Sequence, residues 1–306
     1  MKIWVSGSLA YDRIMVYPGR FADHINPKKL HVINLSFAAK TLELSFGGTA
    51  GNIAYGLRQL GVNTGVIGNL GRDGAEYIAR LKRFGADVAC VRVLSDAFTA
   101  GAYMTTDRDD NQISAFFAGA MMNKPVLPKV KPGDLAIVSP DAAANMAVLS
   151  DFYRRKRVTY IFDPGQAMTM LSKSQMLSAA KSAKIIIGND YEVDLMSKRS
   201  GFKFQKNQTL ITTYGGQGSS IQGGGKTFRI PAVKAKKLVD PTGAGDAYRA
   251  GLLAGLSKGL DLKDCGRLAS TIAVYAVETQ GTQNYIFSKK QIVKKFFNQF
   301  KTRLKI

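Results

Sequence analysis

The chain has 306 residues, 45% of them hydrophobic, and its 43 Lys and Arg against 22 Asp and Glu give a formal net charge of +21 at pH 7. This much apolar material excludes intrinsic disorder as the main state, and the lack of a sustained period excludes collagen-like and coiled-coil folds. The basic residues are spread along the chain, so we interpret the charge as a solvated surface, with nucleic-acid binding as the alternative.

Cysteine and histidine are both scarce. Cys90 and Cys265 lie far apart and no Cys-x-x-Cys occurs, which excludes a disulfide framework and a zinc ribbon. The only histidines are His24 and His31, too few for a histidine-rich metal site, and we interpret both as loop or surface residues. The apolar run at the N-terminus is too short for a signal peptide, and no stretch of about 18 apolar residues predicts a membrane helix. We therefore expect a cytoplasmic protein without a membrane partner.

Short β-branched runs alternate with helical patterns along the chain. Predicted strands cover residues 3–5, 62–70, 135–139, 158–162, 184–188 and 210–213. Predicted helices cover residues 73–84, the stretch after 139 to about 156, and 244–259, with two more after it. Apolar strands separated by helices indicate an α/β fold with a parallel sheet covered on both faces. Ligands bind beyond the carboxyl ends of such strands, where the polar residues are Asp12, Asp163, Asn189 and Thr213.

Residues 13–46 and 100–119 break this alternation. Both contain extended, partly amphipathic stretches, such as 30–35 and 112–117. We predict that the two segments form a small β lid over the site. Because no Pro/Ser-rich linker or internal repeat divides the chain, we expect residues 1–306 to form a single domain.

A glycine-rich turn opens the predicted helix at 244–259. Its sequence is Asp-Pro-Thr-Gly-Ala-Gly-Asp-Ala over residues 240–247. Such a turn presents bare N–H groups and the positive end of the helix dipole, which suits a phosphate or a developing oxyanion. Asp246 lies in the first turn beside that anion site and could accept a proton from an attacking hydroxyl. The alternative is that this carboxylate serves only the helix dipole.

A second glycine motif, Phe-Gly-Gly-Thr-Ala-Gly-Asn-Ile-Ala, covers residues 46–54. Gly47 and Gly48 permit close approach of the backbone to a ligand. Asn52, in the first turn of the helix that follows, both donates and accepts hydrogen bonds, which suits sugar hydroxyls. A plain turn into a buried helix is the alternative.

Residues 220–227 only superficially resemble a P-loop. Ser220 replaces the first glycine, and residues 228–231 read as a strand, so no helix N-terminus is available to hold a phosphate. We predict a hairpin turn there.

The two glycine motifs together resemble the two signatures of the ribokinase-like (PfkB) family of carbohydrate kinases, in the expected order. Further stretches resemble the family's substrate-binding strand end (7–12), its Asn-x-x-Glu motif (189–192) and its nucleotide loop (213–218). Details in 46–55, 105–107, 110–112, 119–122 and 162–166 are similar to bacterial adenosine and nucleoside kinases. The resemblance implies a ribokinase-like fold, a mostly parallel sheet flanked by helices with a small β lid. Without it, Asn189–Glu192 reads as an ordinary helix start.

The resemblance also implies a role for each motif residue. The base would be Asp246, and the N–H groups that hold the transferring phosphoryl would come from Gly243, Ala244 and Gly245. The acceptor would be bound by Asp12, Gly47, Gly48, Asn52 and Asp163. ATP would be bound by Asn189, Thr213, Gly215 and Gly218. Mg²⁺, held mainly through water, would be organised by Asn189 and Glu192. A monovalent cation such as K⁺ would lie near Asp240, Thr242 and 281–283.

The function this implies is ATP-dependent phosphorylation of the 5′-hydroxyl of a nucleoside, with adenosine preferred. A sugar kinase acting on ribose or a ketose is the alternative among enzymes. A nucleic-acid-binding protein on a kinase scaffold and a silent sensor are alternatives of other classes, although the intact Asp246 disfavours silence. We expect ATP and a nucleoside as partners, no nucleic acid, and an oligomeric state left open, with a homodimer among the options.

Overall fold

The protein is described here by a computed structural model that covers residues 1–25, 31–32 and 34–304. The strands, numbered along the chain, are β1 Ile3–Ser6, β2 Ala10–Val16, β3 Thr41–Gly47, β4 Thr64–Leu70, β5 Asp87–Val93, β6 Ala100–Thr106, β7 Gln112–Phe117, β8 Leu135–Val138, β9 Thr159–Phe162, β10 Ile185–Asn189, β11 Thr209–Thr213, β12 Ser219–Gly223 and β13 Lys226–Ile230. The helices are α1 Thr49–Gln59, α2 Ala75–Arg83, α3 Ala143–Lys156, α4 Lys173–Ser182, α5 Asp190–Ser200, α6 Ala244–Ser257, α7 Leu262–Val277 and α8 Lys289–Phe300.

Within the described residues, nine strands form the large sheet, in the order β13-β12-β11-β10-β9-β8-β1-β4-β5. Neighbouring strands are parallel except at β11–β12 and β12–β13. One apolar cluster packs α1, α2, α6, α7 and α8 against one face, and a second packs α3, α4 and α5 against the other. The central strands are continuously apolar because both of their faces are covered. This confirms the α/β fold class expected from the sequence.

Most sequence predictions of elements are close to the structure, but some elements were missed. Strand β5 reads Asp-Val-Ala-Cys-Val-Arg-Val and lies at the edge of the sheet, where its polar side chains reach solvent. Its pattern is neither a continuous apolar run nor a clean alternation of apolar and polar residues, so no strand was predicted there. Helices α4 and α5 have weak amphipathic patterns and went unpredicted beyond the possible start at Asn189.

The four remaining strands form a separate small sheet in the order β3-β2-β6-β7. It falls within the two segments predicted to be extended, although β2 begins at Ala10, earlier than the predicted residue 13. Asp12 therefore lies inside a strand of the small sheet and does not directly follow β1. Part of the predicted first segment, residues 26–30 and 33, lies outside the described residues.

The P-loop-like stretch forms a hairpin, as predicted. Strands β12 and β13 pair antiparallel and are joined by Gly224 and Gly225, whose φ angles are 59° and 75°. This left-handed region favours glycine, which explains the glycine run without a phosphate-binding role.

Elsewhere, His24 and His31 are exposed and both cysteines are buried and unpaired. Across the described part of the chain, no helix combines the length and apolarity needed to span a membrane.

Candidate active site

The turn before α6 is held in place by Asp240. Its two carboxylate oxygens accept hydrogen bonds from the N–H of Thr242 at 2.9 Å and of Gly281 at 3.0 Å. Gly243 then adopts φ 77°, and a Cβ there would lie 2.9 Å from the Thr282 methyl. Glycine is therefore required both by conformation and by close packing. The result is a helix start whose first N–H groups have no acceptor within the helix.

Of the three residues predicted to bind the transferring phosphoryl, Ala244 is partly committed elsewhere. Its N–H donates to the Pro241 carbonyl at 3.2 Å. Gly243 and Gly245 carry no side chain, and Gly245 is exposed in the first turn of α6. The N-terminal end of α6 thus keeps the positive dipole and open backbone that an anion needs.

Asp246 is partly buried in the first turn of α6. Asn52 Nδ2 donates a hydrogen bond to Asp246 Oδ2 at 2.8 Å. Burial raises the pKa of Asp246 to about 6, with smaller raising effects from Asp163 and Asp12, while Arg249 and the Asn52 hydrogen bond oppose the shift. A carboxylate with a pKa close to neutral, beside an anion site, is suited to general-base catalysis.

Asn52 is more constrained than the sequence predicted. It is buried, and its Oδ1 accepts hydrogen bonds from Thr282 Oγ1 at 2.8 Å and from Gln283 Nε2 at 3.0 Å. With one N–H donated to Asp246, a single N–H remains for a substrate hydroxyl. The structure therefore shows Asn52 orienting Asp246, and its binding of a ribose hydroxyl stays a prediction.

The network extends to residues that sequence reasoning did not connect with the site. Gln283 Nε2 also contacts the Tyr77 hydroxyl at 3.1 Å, and that hydroxyl donates to the Gly47 carbonyl at 2.5 Å. Arg80 donates to both the side chain and the backbone carbonyl of Gln283. Tyr77 and Arg80 are three residues apart on α2 and therefore lie on the same face of the helix. This spacing was the only sign in the sequence that the two side chains could act together.

Asp12 lies on β2 of the small sheet, against the glycine pair. A Cβ at Gly47 would lie 2.2 Å from Asp12 Oδ2, and a Cβ at Gly48, whose φ is 83°, would lie 2.5 Å from the Ser8 carbonyl. Burial, with a further contribution from Asp240, raises the pKa of Asp12 to about 6. Within the described residues its carboxylate makes no hydrogen bond or ion pair. Asp12 is therefore an available acceptor for hydroxyl groups.

Asp163 was predicted to bind the acceptor, but in this structure its carboxylate is paired with Arg249. It follows β9 but is fully buried, and Arg249 Nε and Nη2 donate to its two oxygens at 2.5 Å each. The guanidinium occupies one acceptor site on each oxygen, and full burial leaves no oxygen of Asp163 exposed to a substrate in this structure. The sequence signal that was missed is Arg249 itself, a charge in an apolar helix three residues after Asp246.

Asn189 and Glu192 form a capping box at the start of α5. Asn189 Oδ1 accepts from the Glu192 N–H, and Glu192 Oε2 accepts from the Asn189 N–H, both at 2.8 Å. The structure thus shows the ordinary helix start that the residues alone suggest.

Within the described part of the chain Glu192 Oε1 makes no hydrogen bond, and no group of three or more His, Cys, Asp or Glu could hold a metal ion. These oxygen donors fit Mg²⁺ that keeps most of its waters.

The predicted nucleotide loop adjoins this helix start. Strands β10 and β11 place Thr213 directly beside Asn189 at the carboxyl edge of the sheet. Gly215 and Gly218 have φ angles of 54° and 93°, and a Cβ at Gly218 would lie 2.1 Å from the Ile230 carbonyl. The two predicted ATP-binding segments are therefore brought together at the carboxyl edge of the sheet.

Comparison with known proteins identifies the family. The profile of pfkB family carbohydrate kinases matches residues 7–289. The chain belongs to the PfkB family of carbohydrate kinases. It is accordingly a phosphotransferase that uses a nucleotide and acts on a hydroxyl group.

This kinase has similar relatives along nearly its whole length. It is 35% identical to the nucleoside kinase of Methanothermobacter thermautotrophicus over 279 residues, covering 87% of this chain and 89% of that protein. Its structure resembles that of the Burkholderia thailandensis nucleoside kinase in complex with inosine, with a TM-score of 0.86, 39% identity, and coverage of 98% and 99% of the two chains. The same Burkholderia protein in complex with ADP-inosine gives a TM-score of 0.84 at 40% identity, covering 99% and 97%. These findings confirm the family and the ribokinase-like fold.

Proposed function

We propose that this PfkB kinase transfers the terminal phosphoryl group of ATP to the 5′-hydroxyl of a nucleoside. The observation that carries the proposal is the hydrogen bond between Asn52 and Asp246, because it joins the two glycine motifs at one point. The hydroxyl-binding motif and the proton acceptor then face the same space. Relatives named nucleoside kinases, one of them bound to inosine, support a nucleoside as the acceptor.

Each group has a defined task in this mechanism. Asp12 accepts hydrogen bonds from the ribose hydroxyls and thereby orients the 5′-hydroxyl toward Asp246. Asp246 takes the proton of that hydroxyl as its oxygen attacks the terminal phosphorus, and the bond to the leaving ADP breaks. The N–H groups at the start of α6 stabilise the charge on the transferring oxygens, since phosphoryl transfer depends on positioning and electrostatics.

Mg²⁺ is the expected companion of ATP at this site. Asn189 and Glu192 would hold it through water, and the ion would neutralise charge on the phosphates. Thr213, Gly215 and Gly218 lie next to this pair and would hold the nucleotide. Occupancy of a monovalent cation site near Asp240 and Thr242 stays a prediction.

We further propose that the small sheet closes over the acceptor and excludes water from the transfer. The single-domain organisation and a cytoplasmic location stay predictions of the sequence, and a homodimer stays one option for the oligomeric state. The sign of the overall charge also suits polyphosphate substrates, which a basic surface attracts.

Adenosine is the acceptor we prefer from the sequence resemblance. Inosine is its strongest competitor, because the similar Burkholderia nucleoside kinase was solved in complex with inosine. A turnover panel with ATP and Mg²⁺ decides between them, with adenosine, inosine, guanosine, cytidine, ribose and fructose as acceptors. We expect purine nucleosides to have the highest kcat/KM. Turnover of ribose or fructose above every nucleoside would contradict the proposal and support the sugar-kinase alternative. Each rate is compared with that of Asp246→Asn, which shares every binding group except the base.

A further inference from the structure

Arg249 is the one lysine or arginine that is buried in the described part of the chain, with 8% of its surface exposed. Removing a guanidinium from water is unfavourable unless its donors are satisfied. Two of its nitrogens donate to the two oxygens of Asp163, which is 0% exposed. The third, Nη1, donates to the backbone carbonyl of Gly245 at 3.0 Å. All three nitrogens of the fork are therefore used, in one fixed orientation.

The Gly245 carbonyl belongs to the peptide group whose N–H is that of Asp246. A peptide group is planar and trans, so its C=O and N–H point in opposite directions. Because Arg249 holds the carbonyl from inside the protein, the Asp246 N–H points outward from the start of α6. A cation on the carbonyl also polarises this N–H, which strengthens it as a donor to an anion.

Arg249 also lies three residues after Asp246, on the same side of the helix. The charged groups that face Asp246 are Arg249, which lowers its pKa, and Asp163 and Asp12, which raise it. Glu192 faces Arg249 from α5. Among the charges, Arg249 has the largest effect on Asp246 and exceeds that of Asp163.

We propose that Arg249, locked by Asp163, is a positioning residue for phosphoryl transfer. It aims the Gly245–Asp246 peptide at the transferring oxygens and keeps a positive charge behind the Asp246 carboxylate. The inference rests on the proposed function, in which Asp246 accepts the hydroxyl proton. It gives Asp163 an indirect role in place of the substrate contact expected from the sequence.

The test uses variants that separate charge from geometry. Asp163→Asn removes the negative charge, so the pKa of Asp246 should fall. Asp163→Asn combined with Arg249→Gln removes both charges and leaves two amides that can hydrogen-bond to each other, so the pKa of Asp246 should rise, because the Arg249 effect is the larger. Arg249→Lys keeps the charge but loses the fork, so the pKa should change little while kcat falls about tenfold.

Two readouts are measured on the full-length protein. Carbon-13 NMR follows the Asp246 carboxyl during a pH titration, with Asp246→Asn assigning the signal, and the acid limb of kcat/KM follows the same group through turnover. The matched control is Asp264→Asn combined with Arg267→Gln, which neutralises another ion pair, near the start of α7. Neither the titration nor the turnover of this control should change.

Opposite pKa shifts in the Asp163 single variant and the double variant support the inference, because general loosening of the fold would move both the same way. Titrations indistinguishable from the control, or equal shifts in both variants, overturn it. A wild type that fails to phosphorylate any nucleoside contradicts the proposed function, whereas the NMR titration still decides the role of Arg249.

Discussion

The start of α6 and the small sheet both supply a carboxylate to the site, but the two carboxylates are held very differently. Asp246 has a hydrogen bond from Asn52, which is itself fixed by Thr282 and Gln283. Asp12 lies on a sheet whose outer strand, β7, is exposed along its whole length, and it has no hydrogen-bond partner in the described structure. In the proposed mechanism, the reacting group, Asp246, is thus oriented before substrate arrives, whereas the recognising group, Asp12, obtains its partners from the substrate.

This difference follows from where each residue lies in the fold. The Asp246 network is anchored in α1, α2 and α6, which pack together in the larger apolar cluster. Among the described residues, Tyr11 of the small sheet joins the larger apolar cluster, and the sheet's other buried apolar side chains form a short patch centred on Ala10, Ala100 and Met121. Pre-organisation of a catalytic group requires a rigid frame, and closure over a substrate requires an element that opens easily.

The largest expected effect concerns the rigid region. Asp246→Asn keeps the size of the side chain and can still accept the Asn52 hydrogen bond, but it cannot take the proton. We expect kcat to fall by about 10²–10⁴ with little change in the dissociation constants of ATP and acceptor. Steady-state kinetics and calorimetry measure these quantities. A kcat within about threefold of wild type would reduce Asp246 to a residue that serves the helix dipole.

The corresponding change in the small sheet is Asp12→Ala. It removes charge-assisted hydrogen bonds to the acceptor, so we expect acceptor binding to weaken by about 1.5–3 kcal/mol, with ATP binding unaffected. Acceptor and ATP KM values are measured separately. The comparison with Asp246→Asn is the control, since the two variants should differ in which constant changes. A raised ATP KM at constant acceptor KM would mean that Asp12 has been assigned to the wrong substrate.

Hydrogen exchange tests whether the two regions differ in mobility. Without ligand, the amides of β7 and the outer part of β3 should exchange much faster than those of β1 and β8. Binding of the acceptor should protect the small sheet and leave the central strands unchanged. Mass spectrometry with and without acceptor gives the comparison, and ATP alone is the control. Protection that is equal in both regions, or absent from the small sheet, would mean that no closure occurs.

The smallest expected effect is on stability. The raised pKa of Asp246 means that the folded protein binds its proton more tightly than the unfolded chain, so ionising this group destabilises the fold as pH rises through about 6. Asp246→Asn should therefore raise Tm by about 2–4 °C at pH 7.5 and have no effect near pH 2.5, where the carboxyl is protonated in both states. Asp194→Asn, at an exposed carboxylate on α5, is the control and should change Tm little at either pH. An equal shift at both pH values would attribute the effect to packing.

The sequence was sufficient for the fold and for the two glycine motifs, because both depend on local signals. Gly48 and Gly243 do adopt positive φ angles, and apolar strands do build the sheet. The hydrogen-bond partners of the motif residues could not be predicted from the sequence. Gln283 meets Asn52 across 231 positions and Arg249 meets Asp163 across 86, and no local pattern encodes such contacts.

Asp163 shows why proximity to a strand end is a weak guide. Its position after β9 places it at the correct edge of the sheet, but Arg249 turns it inward. Only packing decides whether a polar residue at this edge faces the ligand or supports a neighbour. The same holds for Asn52, whose type suits a sugar hydroxyl but whose surroundings commit most of its capacity to the base.

Strand β3 of the small sheet runs through Gly47 and Gly48 directly into α1, which carries Asn52. A displacement of the sheet is therefore transmitted along a few residues to the side chain that orients Asp246. Closure should therefore tighten the contacts around Asp246, whose hydrogen bond from Asn52 is already formed before the acceptor binds. Such a linkage would limit hydrolysis of ATP by water, because a water molecule makes too few contacts to hold the sheet closed.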